Sequence, residues 1–177
     1  MTEERSVGEL RRDAGKVLDV VELESVYLVD SKYESQVQAG EIKLVSAYAV
    51  ETRSGRSERS VTVWVRHRAF ALAVTDEDDV PKDAAELSEA FVDERYAWRA
   101  ETDWVAEYSA PAGSTDAFTT KELNAFAMVL GPPTVHPYAR ELVQSLVARG
   151  RYPAFTMGLL IPISAMRDDE VIEIEDA

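Results

Sequence analysis

The clearest helical period of apolar positions, and the most apolar extended run, lie between Thr134 and Ile163. Val135, Tyr138, Ala139, Leu142, Val143, Leu146 and Val147 repeat with a 3.6-residue period, which predicts an amphipathic helix from about His136 to Arg149. Pro137 suits its first turn, where the missing N–H has no partner to lose, and Gly150 suits a left-handed position just past its end. Beyond Pro153 the period becomes two. Phe155, Met157, Leu159, Ile161 and Ile163 fall on one side of an apolar extended strip, with Gly158 allowing close backbone approach.

Before this region the chain reads as one helix, four strands and a second helix. Val7, Leu10, Ala14 and Val17 recur at helical spacing from Glu3 to about Lys16, with Ser6 and Glu9 spaced as a capping box. Val21, Leu23, Tyr27 and Val29 then share one face of a strand, and Glu22, Glu24 and Asp30 the other. Residues 31–40 read as a polar connection carrying Tyr33 and Val37. Two alternating runs, Ile42 to Thr52 and Ser60 to Val74, flank turn-forming residues and predict a hairpin. Ala84, Leu87, Ala90 and Phe91 suggest one or two helical turns. The fourth strand sets Tyr96, Trp98, Ala100, Thr102, Trp104, Ala106 and Tyr108 against Arg99, Glu101, Asp103 and Glu107.

A second capping box, Thr119 with Glu122, opens a helix carrying Leu123, Phe126, Ala127 and Leu130, and Gly131-Pro132-Pro133 is expected to end it. Strands followed by helices make an α+β fold: a four-stranded antiparallel sheet followed by two helices.

Pro137-Tyr138-Ala139-Arg140-Glu141, Ser145-Leu146-Val147 and Arg149-Gly150-Arg151-Tyr152-Pro153 together resemble the signature helix and turn of SecB-type export chaperones. The match is dense over about twenty residues and elsewhere extends to element order. The spacer between Pro153 and Pro162 is longer than in the export chaperones, and Ile163-Ser164 stand where they carry an acidic or amide residue and Phe. That spacing is closer to the SecB-like proteins that accompany toxin–antitoxin pairs. The resemblance implies a homotetramer, a dimer of dimers, acting as an ATP-independent holdase for unfolded or aggregation-prone polypeptides. Its client would be an export substrate or an antitoxin, and its docking partner, on the export branch, the export motor ATPase. In that family the segment after the signature helix and the loop between the first two strands border the client groove. The corresponding client contacts here are Tyr33, Val37, Phe155, Met157, Leu159, Leu160 and Ile161. The acidic residues Glu22, Glu24 and Asp30 would dock a basic partner.

Composition narrows the alternatives. The 177 residues suit one domain, expected over 1–167, with 168–177 as a solvated acidic tail. A formal net charge of −14 argues against nucleic acid and anionic membranes, whose phosphates require Lys and Arg. No Cys is present, so neither a disulfide nor a thiolate metal site can form. No signal peptide or spanning segment is expected, and the cytoplasm is the expected location. His67 and His136 are the only histidines, too few for a zinc site, and no Walker loop, dinucleotide fingerprint or nucleophile elbow occurs. The chain is therefore expected to be neither an enzyme nor cofactor-dependent. The competing reading, a small-molecule-binding or isomerase-like α+β domain, would need a closed pocket holding a carboxylate of raised pKa.

Overall fold

The computed structural model describes residues 2–36, 43–74, 96–150, 152, 157 and 162–175. Within them, four long strands form one antiparallel sheet: β2 (Glu22–Ser35), β3 (Lys43–Arg56), β4 (Ser60–Val74) and β5 (Tyr96–Ser109), in the order β2-β5-β4-β3. A 30-residue helix, α2 (Thr120–Arg149), crosses one face of this sheet over β3, β4 and β5. The N-terminal helix α1 (Val7–Leu18) packs on α2, giving a sheet and two helical layers.

The core follows from the strand alternation. Val61, Val63 and Val65 of β4 and Trp104, Ala106 and Tyr108 of β5 point toward α2, where Phe126 meets the Tyr108 ring edge-on with centroids 4.9 Å apart. Both capping boxes form as the sequence predicts: Ser6 and Thr119 each accept from the backbone three residues on, and Glu9 and Glu122 reach back to the cap N–H groups. Lys16 in the last turn of α1 donates to Glu122 at 2.7 Å, tying the end of α1 to the start of α2. That bond, with those from Thr119, pulls the Glu122 carboxyl down to about 2.

The fold class stands, and several local expectations change. The two predicted helices form one continuous element, with Pro132, Pro133 and Pro137 inside it. Each interior proline removes a donor and crowds a carbonyl one turn back. Burial holds the segment in place: Val129, Gly131, Val135 and His136 all lie in the interior around it. The first half, covered by the sheet and by α1, buries Leu123, Ala125, Phe126, Ala127 and Val129, whereas the second buries a single stripe, Val135, Ala139, Val143 and Val147. Gly131 sits where helix and sheet come closest. A Cβ there would lie 2.8 Å from Val63 Cγ1 and 3.1 Å from Val65 Cγ2. Gly131→Ala is therefore expected to lower stability by about 1–3 kcal/mol in urea unfolding, because those buried methyls have nowhere to retreat; an unchanged midpoint would remove this account of the glycine.

Gly150 ends α2 with φ −79°, on the ordinary side of the backbone map, so left-handedness is not its role. The Tyr33 hydroxyl lies over it instead, and a side chain at that position would collide with the phenol. Tyr33 itself belongs to β2, which continues to Ser35 through the first part of the predicted connection. Register shifts break the simple alternation of β2 between Leu23 and Ser25 and between Leu28 and Asp30. Leu23 consequently faces the helices opposite Tyr108, while Tyr27 pairs with Val105 on the outer face. A shift between Ala71 and Leu72 likewise moves Tyr96 off the face of Trp98 and into an outer cluster with Phe70, Leu72 and Val74. The end of the chain is not a free tail throughout: β6 (Val171–Glu175) pairs antiparallel with β1 (Thr2–Ser6), and Ile172 packs against the core. Arg11 fastens the approach to β6 by donating to Asp168 at 2.5 Å and to the carbonyls of Ile163 and Met166. The helical turns predicted around Ala84 to Phe91 lie outside the described residues.

Candidate client-binding surface

Because α2 lies over β3, β4 and β5, the helix-facing side of the edge strand β2 is left open by the described residues. Leu23 and Leu28 of β2 and Tyr138 of α2 are 52%, 40% and 51% exposed on that side. Between them lies Trp104, opposite Leu28 in the sheet, with its ring 6.0 Å from that of Tyr138. The result is an apolar shelf with a helix for a wall, a sheet for a floor and, for a rim, the outer backbone edge of β2, which pairs with no other strand among the described residues. Such an arrangement can accept an extended chain, with backbone hydrogen bonds at the edge and apolar contacts on the shelf. Isolated exposed leucines are ordinary on protein surfaces; several converging beside an aromatic pair mark an interaction surface.

The residues singled out from the sequence fall in three places. Tyr33 and Met157 come together at the end of α2, in a cluster with Trp98, Val143 and Val147. Met157 is 0% exposed there, so it packs this end of the core, and contact with a client would require that cluster to open. Val37, Phe155, Leu159, Leu160 and Ile161 lie outside the described residues. Glu22, Glu24 and Asp30 are exposed along β2. Glu22 and Asp30 are separated by roughly 25 Å of extended strand, so these carboxylates form a dispersed edge charge rather than a focused cluster. Sequence reading missed Leu28 and Tyr138 as surface residues. Tyr138 carries the helical apolar period, and the period cannot tell a covered stripe from one the sheet leaves bare.

Beside the apolar cluster of Phe70, Leu72, Val74 and Tyr96, the outer face of the sheet carries an ionic array. Arg66 binds Asp103 through two hydrogen bonds of 2.6 and 3.0 Å, and Arg68 contacts Glu101 and Glu51 at 3.0 and 2.5 Å. Arg99 reaches Glu34 at 2.7 Å, where the Tyr96 hydroxyl also donates. Trp64 interrupts this array, beside a groove of about 440 Å³ lined also by Val29, Arg53 and Asp103. The Arg66 hydrogen bonds hold the Asp103 carboxyl below its ordinary range, the reverse of what a general acid in this groove would need. His67 and His136 face one another between sheet and helix, ring centroids 5.8 Å apart. Among the described residues, no group of three or more His, Cys, Asp or Glu could hold a metal, and no helix is long and apolar enough to cross a membrane.

The sheet order, the long crossing helix and the bare edge strand define a SecB-like fold. The chain is similar over 86% of its length, with a TM-score of 0.65, to the Mycobacterium tuberculosis SecB-like chaperone Rv1957, solved in complex with a ChAD peptide from the HigA1 antitoxin. The match spans 99% of that chain at 16% sequence identity, so the likeness is one of fold. No protein-family model matches the sequence, and no curated protein sequence does.

Proposed function

We propose that this protein is an ATP-independent holdase that captures unfolded or aggregation-prone polypeptide along the shelf formed by β2 and α2. The observation that carries the reading is the exposure of Leu23, Leu28 and Tyr138 beside a strand edge that is unpaired among the described residues. A surface of that chemistry serves neither catalysis nor the internal packing of this chain. The SecB-like fold supports it, since a solved protein of the same fold is a chaperone. Tyr33, Val37, Phe155, Met157, Leu159, Leu160 and Ile161 are further proposed client contacts, the buried Met157 joining on opening. A homotetramer would line up several such shelves, and the cytoplasm is the compartment where this client chemistry is needed. Of the two partner branches, an antitoxin is favoured over the export motor, because the neighbouring structure contains an antitoxin peptide and because Glu22, Glu24 and Asp30 are too dispersed for a compact basic motif.

The test is suppression of aggregation of a chemically unfolded model protein, without nucleotide. Suppression is expected near stoichiometric ratios. Replacing Leu23 and Leu28 together by Ser is expected to weaken capture by about ten-fold or more, the equivalent of about 1.4 kcal/mol and well within what two large apolar contacts supply. Both side chains are only about half buried in the isolated chain, so the melting temperature should fall by much less than on truncating two core leucines. Full suppression by the double variant would dismiss the shelf as the client site.

A further inference from the structure

We propose that the outer sheet face carries a second binding site, at Trp64 and Arg53, for a short acidic peptide segment anchored by one aromatic or branched aliphatic side chain. Trp64 of β4 and Arg53 of β3 are direct cross-strand partners on the face turned away from the helices. Side chains so paired stand about 5 Å apart at Cβ, within reach of one ligand. The groove beside them holds about 440 Å³, enough for one large side chain and the backbone on either side of it.

Trp64 is 44% exposed, yet its position is constrained from beneath. The indole lies across Gly55 so closely that a Cβ there would come within 2.8 Å of the ring. Glycine at this position lets the ring edge lie close against the backbone of β3, which fixes the indole while much of it stays exposed for a ligand to pack on. Val29 supplies a second apolar contact across the groove.

Charge selects the partner. Arg66 is matched by Asp103 in a two-point pair, and Glu51 by Arg68. Arg53 lines the groove with no ion pair among the described residues. An unmatched guanidinium beside an open indole is suited to a carboxylate next to an apolar side chain, through two parallel charge-assisted hydrogen bonds. The chain carries a net charge of −14, which repels large acidic partners. Salt screens that repulsion beyond about 8 Å, so a short acidic segment can reach Arg53 where an acidic domain is turned away. The site lies on the opposite side of the sheet from the shelf of Leu28 and Tyr138, so it does not depend on the holdase reading.

The test uses the full chain and two fluorescein-labelled peptides, one containing Asp-Phe-Glu and one with Lys in place of both acids, followed by anisotropy. The acidic peptide is expected to bind at least about ten-fold tighter than the lysine peptide, and Trp64→Ala and Arg53→Glu each to weaken it by about ten-fold, as loss of one stacked or two-point charged contact implies. Arg53→Glu should also reverse the preference toward the lysine peptide, which a general unfolding of the sheet would not do. Aggregation suppression should be unchanged in both variants, so failure of the holdase reading and failure of this site are separable. Absence of binding, equal binding by both variants, competition by an unfolded client, or a change of oligomeric mass in Trp64→Ala would overturn the proposal, the last by making this face an interface between copies.

Discussion

Between pH 7.5 and pH 4.5 the protein is expected to lose about 2.5 kcal/mol of stability through the single imidazole of His67. His67 is fully buried where β4 meets α2, opposite Val50 of β3 and Thr102 of β5 and facing His136 of α2. Burial, and secondarily the neighbouring His136, lower its pKa from 6.5 to about 4. The sign follows from which state holds the proton. Above pH 6.5 the ring is neutral whether the chain is folded or unfolded, and the contribution is fully present. As pH falls below 6.5 the unfolded chain takes up a proton that the folded chain refuses, so stability declines until the folded ring also titrates near 4. The full gap corresponds to about 3 kcal/mol, most of it gone by pH 4.5.

Many carboxylates titrate in the same window, so the informative quantity is a double difference. His67→Leu removes the titration while keeping an apolar side chain of similar volume in the site. Urea unfolding of both proteins at both pH values should show the variant losing about 2 kcal/mol less than the parent on acidification. Equal losses would mean that protons enter the folded state at this position as readily as the unfolded one. The consequence reaches beyond stability. His136 lies two residues before Tyr138, so a charge forced between sheet and helix acts on the same stretch of α2 that walls the shelf.

What the sequence disclosed about this fold is mostly what depends on neighbours along the chain. Capping boxes at Ser6 and Thr119 join residues three apart, and both form. The strand faces of β3 and β4 depend on a period of two, and Leu44, Tyr48 and Val50 do lie with Val61, Val63 and Val65 on the helix side. The misreadings arise where distant segments decide. A one-residue register shift turns every later side chain over. Tyr96 and Tyr27 therefore changed face without any change of local pattern. Pro132 and Pro133 look like a helix stop because propensity counts only the lost hydrogen bonds; the sheet on one side and α1 on the other outweigh them. Of the candidate site, Leu28 and Tyr138 are distinctive only because α2 stops short of the edge strand, which no local pattern encodes.

The closure of the two chain ends should be the most sensitive point in the described structure. Arg5 of β1 is 4% exposed, and its guanidinium donates to Asp13 Oδ2 of α1 at 2.5 Å. Burial raises the pKa of Asp13, but hydrogen bonds and charge from Lys16 and Arg5 outweigh that effect and hold the carboxyl below its ordinary range. Removing the carboxylate strands the cation where water cannot reach it. Asp13→Ala is therefore expected to cost about 3–5 kcal/mol, the loss typical of a buried pair broken on one side. For a chain of this length that corresponds to a fall of roughly 6–20 °C in melting temperature. Arg5→Met should cost much less, because no charge is then left to bury, and combining it with Asp13→Ala should recover most of the single variant's loss. That recovery separates a stranded cation from simple damage to α1, in which case the two losses would add. Amide exchange gives the structural counterpart: β6 is held by β1, so in Asp13→Ala the amides of Val171 to Glu175 should lose protection together with those of Thr2 to Ser6, ahead of the central strands.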